Sequence, residues 1–197
     1  MNTTFPSTDI TVLLLSGGKS SRMGADKGMQ LLHGKPMIEH MLEKAQSMSP
    51  NILILTNDSA YETLGYPCLA DDVKDCGPLG GICTGLQHST TAKNLVLGCD
   101  MPLVAVDWLK ELVMQCLEEE VLVTMHEQRM EPLCAVYDKQ CLHQLKNLRD
   151  TNQLSLMKAI QSVRYRTCDA DMMNGYASSW FFNINSPQDL QQAEKIK

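Results

Sequence analysis

The sequence has no apolar run long enough to cross a bilayer: stretches such as Thr11 to Leu15 and Asn51 to Leu55 fall far short of the roughly 20 residues required. It also lacks an excess of positive charge. Lys plus Arg number 17 against 23 Asp plus Glu, a formal charge of −6, which disfavours a general nucleic-acid-binding surface while leaving room for a local basic pocket. The opening MNTTFPSTDI contains no Lys or Arg and no apolar segment, so it does not read as a secretory signal. Aromatic residues are scarce, with three Phe and two Trp beside 13 Met, so Leu, Val, Ile and Met have to supply most of the core. The eight cysteines contain no C-x-x-C pair and are scattered through apolar segments, which weakens zinc and redox readings and favours small buried hydrophobes in a reducing compartment. Repeats, low-complexity tracts and long Pro/Gly/Ser linkers are missing as well. The expectation is one cytoplasmic domain over residues 1–197, with neither nucleic acid nor membrane as partner.

What is present has the rhythm of an α/β protein. The apolar run Asp9 to Leu15 stops at Ser16-Gly17-Gly18, as a strand buried on both faces of a parallel sheet would. Ile38, Met41, Leu42, Ala45 and Met48 then recur at helical spacing behind Pro36, a residue suited to a first turn. Further apolar runs, Ile52 to Leu55 and Leu95 to Leu97, end at Thr56-Asn57-Asp58 and Gly98-Cys99-Asp100, with a Gly-rich helical segment starting at Pro78 between them. A helix carrying Trp108, Leu109, Leu112, Val113, Cys116 and Leu117 follows. This alternation predicts a doubly wound parallel sheet. Val121 to Thr124 and Leu133 to Tyr137 read as strands of an antiparallel excursion or a mixed sheet. Ser186-Pro187-Gln188-Asp189 supplies an N-cap hydroxyl, Pro at the first helical position and a first-turn carboxylate, predicting a helix to the end of the chain.

Ligands of open α/β sheets bind beyond the carboxyl ends of the strands, so the polar residues after each apolar run are the first candidates. The segment Leu15 to Lys27, LSGGKSSRMGADK, combines Gly17, Gly18 and Gly24 with Lys19, Arg22 and Lys27 directly after a strand. Glycines admit oxygens close to backbone N–H groups and cations neutralise charge, which suits a polyphosphate. The segment is neither a Walker A loop, since five residues separate Gly18 from Gly24 and Ala25 follows, nor a Rossmann G-x-G-x-x-G. Asp100, at the end of the third run, is suited either to capping the next helix or to holding Mg²⁺ through one bond; opposite a cationic glycine loop the metal reading gains. Asn57 and the pair Asp71-Asp72 are candidates for base recognition, because a carboxylate accepts the N1–H and N2–H₂ donors of guanine together. His33, His40, His88, His126 and His143 stand in no fixed relation to a Ser or Cys and form no evident nucleophilic dyad.

Together with Gly77-Pro78-Leu79-Gly80-Gly81, Cys99-Asp100-Met101-Pro102 and Phe182-Asn183-Ile184-Asn185-Ser186-Pro187, the loop resembles the molybdenum cofactor guanylyltransferases, whose landmarks occur in this order from Leu15 to Asp189. Nucleotidyltransferases acting on sugars or isoprenoid precursors usually have Ala-Gly where this chain has Gly17-Gly18, and the double glycine favours the cofactor branch. The resemblance implies a Rossmann-like nucleotidyltransferase fold, a mostly parallel mixed sheet flanked by helices. It also implies transfer of GMP from GTP to molybdopterin with release of pyrophosphate, Mg²⁺ as cofactor, and delivery of the product to molybdoenzymes and their maturation factors. By the same similarity Leu15, Ser16, Gly17 and Lys27 contact GTP, Asn57 and an aspartate before the Gly-Pro-Leu turn bind the guanosine portion, and Asp100 carries the metal. Gly18, in the GTP loop, and Arg22, Gly77, Asn183 and Asn185 match positions associated with activity or the pterin; Arg22, Lys27 and Asp100 are the expected catalytic residues. Ser16 replaces the usual Ala, and either Asp71 or Asp72 is the matching carboxylate, with Asp72 preferred. Rival readings are a cytidylyltransferase for the same pterin, a sugar-phosphate nucleotidyltransferase, or a non-catalytic cofactor-binding module, against which the pairing of Lys27 with Asp100 argues.

Overall fold

The computed structural model describes residues 4–17 and 26–196. The first apolar run forms β1 (Ile10–Leu15), and its alternating side chains enter two separate cores: Val12 and Leu14 one, Leu13 and Leu15 the other. A strand with both faces covered belongs at the centre of a sheet. There β1 pairs in parallel with β4 (Ile52–Leu55) on one side and with β6 (Lys93–Gly98) on the other. The short β5 (Cys68–Leu69) extends the parallel side beyond β4. Beyond β6 lies β8 (Arg129–Asp138), antiparallel to it, followed by β7 (Val121–His126) and then β9 (Tyr165–Asp169), which runs parallel to β7. The seven-stranded order is β5-β4-β1-β6-β8-β7-β9, mixed but mostly parallel, with β8 alone reversed. A two-residue hairpin, β2 (Leu31–Leu32) with β3 (Lys35–Pro36), stands apart.

Helices cover both faces. Buried residues of α1 (Met37–Met48) and α3 (Val106–Met114) share one core with Val12 and Leu14, where wholly buried Trp108 donates from Nε1 to Thr124 Oγ1 at 3.1 Å. On the other face α2 (Gly77–His88), α4 (Leu142–Asp150) and α5 (Leu156–Gln161) pack their apolar residues against Leu13, Val96 and Ala135. The last helix, α6 (Pro187–Ala193), begins at Ser186, whose hydroxyl accepts from the Asp189 N–H at 3.2 Å. All eight cysteines are free thiols, six of them buried, as small core hydrophobes would be. Among the described residues, no helix is long and apolar enough to cross a membrane.

Three local expectations need correction. Pro36 stands at the cap, just ahead of α1 rather than in its first turn. Cys116 and Leu117 lie beyond α3, because the Cys116 N–H donates to the Val113 carbonyl at 3.2 Å and the Leu117 N–H to Glu119 Oε1 at 3.1 Å instead of continuing the helical ladder. Finally, α6 stops at Ala193, its last buried position, short of the chain end.

Candidate active site

The chain runs outward from β1 to β4 and β5 and returns on the far side of β1 to β6, so the strand order reverses beside β1. A crevice at the carboxyl ends of strands is expected where such a reversal occurs. Leu15, Leu55 and Gly98, the last residues of β1, β4 and β6, line a cavity of about 1030 Å³ there, at the upper end of the roughly 300–1,000 Å³ typical of ligand pockets. Gly77 and Pro78 bring the N-terminus of α2 to the wall, an end that carries partial positive charge.

Lys27 is the centre of the site. A short 3₁₀ turn, Lys27–Met29, starts at Asp26, whose carboxylate accepts from the Gly28 N–H at 2.9 Å. From it the Lys27 ammonium donates to Asp100 Oδ2 at 2.8 Å and to Asn185 Oδ1 at 2.6 Å, joining residues 73 and 158 positions away. Asp100 follows β6, and its carbonyl accepts from the Ile184 N–H at 2.9 Å, which docks the Asn183–Asn185 segment beside it. Asn185 is held in turn by α6, its N–H donating to Asp189 Oδ2 at 2.9 Å. That bond, with the Ser186 hydroxyl, pulls the Asp189 carboxyl below the usual range.

The opposite wall carries a second polar group. Asn57 follows β4, and its Oδ1 accepts from the Asp71 N–H at 3.2 Å. Burial raises the pKa of the Asp71 carboxyl, with Asn57 opposing the shift and neighbouring Asp72 adding to it. Of the two aspartates, Asp71 lines the cavity. Asp72 does not: its carboxylate lies 3.8 Å from His88 Nε2, and its N–H donates to Thr84 Oγ1. The preference for Asp72 therefore meets the opposite placement, set by α2, whose Thr84 captures the Asp72 backbone.

Leu15, Ser16, Gly17, Lys27, Asn57, Asp71, Gly77, Asp100 and Asn185 thus share one cavity. Asn183 is not on its wall; its amide donates to the Phe181 carbonyl at 3.4 Å. Gly18 and Arg22 lie outside the described residues. Sequence reasoning missed Asp26 and Tyr61. Asp26 had a usable signal, an Asp two positions ahead of a Gly, the pattern of a side chain capping a tight turn.

Among the described residues, no group of three or more His, Cys, Asp or Glu is arranged to hold a metal. Mg²⁺ does not need one, since it usually takes one or two carboxylates and completes its octahedron with waters and substrate phosphates. Asp100 offers such a carboxylate at the cavity wall, and one of its oxygens already accepts a cation, the Lys27 ammonium. The donor set fits the ion.

Residues 12–166 match the model of the MobA-like NTP transferase domain. The chain belongs to this family. It is similar to a probable molybdenum cofactor guanylyltransferase of Flavobacterium johnsoniae, 35% identical over 92% of this chain and 94% of the relative. It is also similar to the molybdenum cofactor guanylyltransferase of Vibrio cholerae, 31% identical over 96% and 93% of the two chains. The crystal structure of molybdopterin-guanine dinucleotide biosynthesis protein A from Archaeoglobus fulgidus shares its fold with a TM-score of 0.82, 26% identity, and coverage of 94% of this chain and 97% of that one. The MobA-like fold is the expected Rossmann-like α/β arrangement.

Proposed function

We infer that this MobA-like protein is a molybdenum cofactor guanylyltransferase, transferring GMP from GTP to molybdopterin to give molybdopterin guanine dinucleotide and pyrophosphate. One observation carries the reading beyond family membership: a single ammonium, Lys27 Nζ, joins Asp100 to Asn185 in one cavity with Asp71 and Asn57 on the facing wall. That arrangement supports assigning Lys27 to a phosphate, Asp100 to a metal ion, Asp71 to the base and Asn185 to the second substrate.

In the reaction a terminal phosphate oxygen of molybdopterin forms a bond to the α-phosphorus of GTP, and the bond from that phosphorus to the β-phosphate oxygen breaks. Such a displacement needs positioning and charge neutralisation more than a protein nucleophile. Asp71, ionised, accepts the N1–H and N2–H₂ of guanine, a donor pair that cytosine and adenine do not present. Lys27, released from Asp100 by the incoming triphosphate, neutralises the departing pyrophosphate together with Arg22 of the glycine-rich segment. Asn185, freed from Lys27, turns its amide to the pterin substrate, with Gly77 on the wall of the same cavity. Asp100 would hold Mg²⁺, which when bound would supply positive charge to offset that of the triphosphate. The described cavity wall carries Asp26, Asp58, Asp71, Asp75 and Asp100 against Lys27, so a triphosphate needs that added cation. The free cysteines suit a reducing cytoplasmic setting, and molybdoenzyme maturation factors are the proposed recipients of the product.

The test is pyrophosphate release with Mg²⁺, molybdopterin and each of the four nucleoside triphosphates. Release with GTP well above the other three is expected. Equal or faster release with CTP replaces the reading by a cytidylyltransferase, and release with none overturns it.

A further inference from the structure

Tyr61 contacts two residues of the cavity wall, Ser16 and Asp26, and the proposed reaction does not use it. It belongs to the 3₁₀ turn Ser59–Leu64 that follows β4, a turn begun by Asp58, whose carboxylate accepts from the Ala60 N–H at 2.9 Å. The ring is wholly buried, yet its hydroxyl is fully engaged. It accepts from Ser16 Oγ at 2.5 Å and donates to Asp26 Oδ1. Ser16 is itself wholly buried at the end of β1, where its N–H donates to the Leu55 carbonyl at 2.9 Å. Asp26 stands immediately before Lys27, and the oxygen that takes the phenol hydrogen bond also takes the Gly28 N–H. Space around the junction is limiting: a Cβ on Gly28 would lie 2.6 Å from Ser16 Oγ and closer still to the phenol oxygen. Burial and the Asp26 carboxylate both push the phenol pKa above its ordinary value, so Tyr61 stays a donor throughout the physiological range.

We propose that Tyr61 is a positioning residue of the nucleotide site: its hydroxyl ties Ser16, where the chain leaves β1, to Asp26, where it re-enters the Lys27 turn, and so aims Lys27 at the triphosphate. The inference rests on the reading of this cavity as a GTP site. It assigns Ser16 a role that alanine cannot fill, as donor to the phenol. A fixed backbone on either side of a phosphate-binding ammonium lowers the ordering cost of binding, which is how preorganised sites gain affinity.

The experiment is calorimetric titration of GTP into the whole chain in the presence of Mg²⁺, with thermal melts of each variant. Tyr61→Phe keeps the ring and removes only the hydroxyl; it is expected to raise the Kd for GTP about ten-fold, the effect of losing a hydrogen bond to a charged group, and to raise KM for GTP in parallel. Asp26→Ala is expected to do the same, and Asp26→Asn, which keeps an oxygen for both donors, to restore most of that loss. The Tyr61→Phe/Asp26→Ala double variant is expected to bind no worse than the poorer single, because both changes remove one interaction. A tyrosine acting by packing alone would leave Tyr61→Phe binding GTP as the parent does, or would make the two losses additive; either result overturns the proposal. If Tyr61→Phe does not fold, the contrast between Asp26→Ala and Asp26→Asn decides, equal affinities overturning it. Failure of the parent protein to bind GTP overturns the GTP reading and this inference together, whereas equal binding by parent and Tyr61→Phe removes only the inference.

Discussion

At the residue scale, Asp100 owes its place to the glycine two positions earlier. A Cβ on Gly98 would stand 2.6 Å from Asp100 Oδ1 and 3.4 Å from Leu133, so any side chain there pushes the carboxylate from its position. Because that carboxylate is the movable end of a side chain, Gly98→Ala is expected to lower GMP transfer roughly 10- to 100-fold, as misplacement of a charged group does, with little change in melting temperature. A melting temperature that collapses along with the rate would show that Gly98 serves packing instead. Asp71 adds a pH dependence. Its folded pKa lies above 3.8, with burial as the main cause, so its ionised form is disfavoured by the fold, and its contribution to stability is greatest below 3.8 and declines as pH rises through the folded value. Asp71→Asn is therefore expected to raise the melting temperature at pH 7 while weakening GTP binding about ten-fold, a trade of stability for function checked by melts and titrations on the same samples. Asp100, Asn57 and Lys27 were legible because each follows an apolar run or sits in a glycine-rich segment. Tyr61 was not, since a lone tyrosine in Asp58-Ser59-Ala60-Tyr61 carries no sign that its ring turns inward to meet Ser16 and Asp26.

At the scale of elements, α6 serves the site from outside it. Ser186 caps the helix, Asp189 of the first turn receives the Asn185 N–H, and Asn185 reaches Lys27. Ser186→Ala removes the cap and is expected to cost about 1 kcal/mol, visible as a lower melting temperature, and to raise KM for molybdopterin by loosening Asn185. The Asp189 pKa is depressed, so its contribution to stability is present above pH 3.8 and lost as the pH falls through the lower folded value; Asp189→Asn should flatten the acid limb of the melting profile in that window. The cap was legible in Ser186-Pro187-Gln188-Asp189, as were β1, β4, β6 and the cores of α1 and α3, because each follows a strong period or a capping signal. β5 and β9 were not. Two residues, Cys68 and Leu69, are too few to show a period, and Tyr165 to Asp169 places Arg, Thr and Asp in an edge strand whose register comes from β7 alone. The reversed direction of β8 was open in the sequence for a related reason: apolar content shows that a strand is buried but not which way it runs.

For the whole molecule, the consequence of this architecture is that the cavity is assembled from parts remote in sequence. Lys27 comes from the segment after β1, Asp71 from the segment between β5 and α2, Asp100 from the end of β6 and Asn185 from just before α6, and no one of them reaches a triphosphate unless the sheet and both helical layers are in place. Unfolding therefore destroys the site entirely, and a ligand that binds only the folded chain raises its stability by mass action. At a GTP concentration about 100 times its Kd that amounts to roughly 2.7 kcal/mol, which for a chain of this size corresponds to a melting shift of about 5–11 °C. A thermal melt with Mg²⁺ and increasing GTP is expected to show this rise and its logarithmic dependence on concentration, while CTP at the same concentrations is expected to shift the curve much less because it lacks the donor pair proposed to bind Asp71. Lys27→Ala is expected to shrink the GTP shift at every concentration, since it removes the described cation of the cavity wall and leaves Asp100 facing the phosphates without it. Equal shifts with GTP and CTP in the parent protein would show that the base is not read in this cavity, and an undiminished shift in Lys27→Ala would remove the ammonium from triphosphate binding even where GMP transfer is lost.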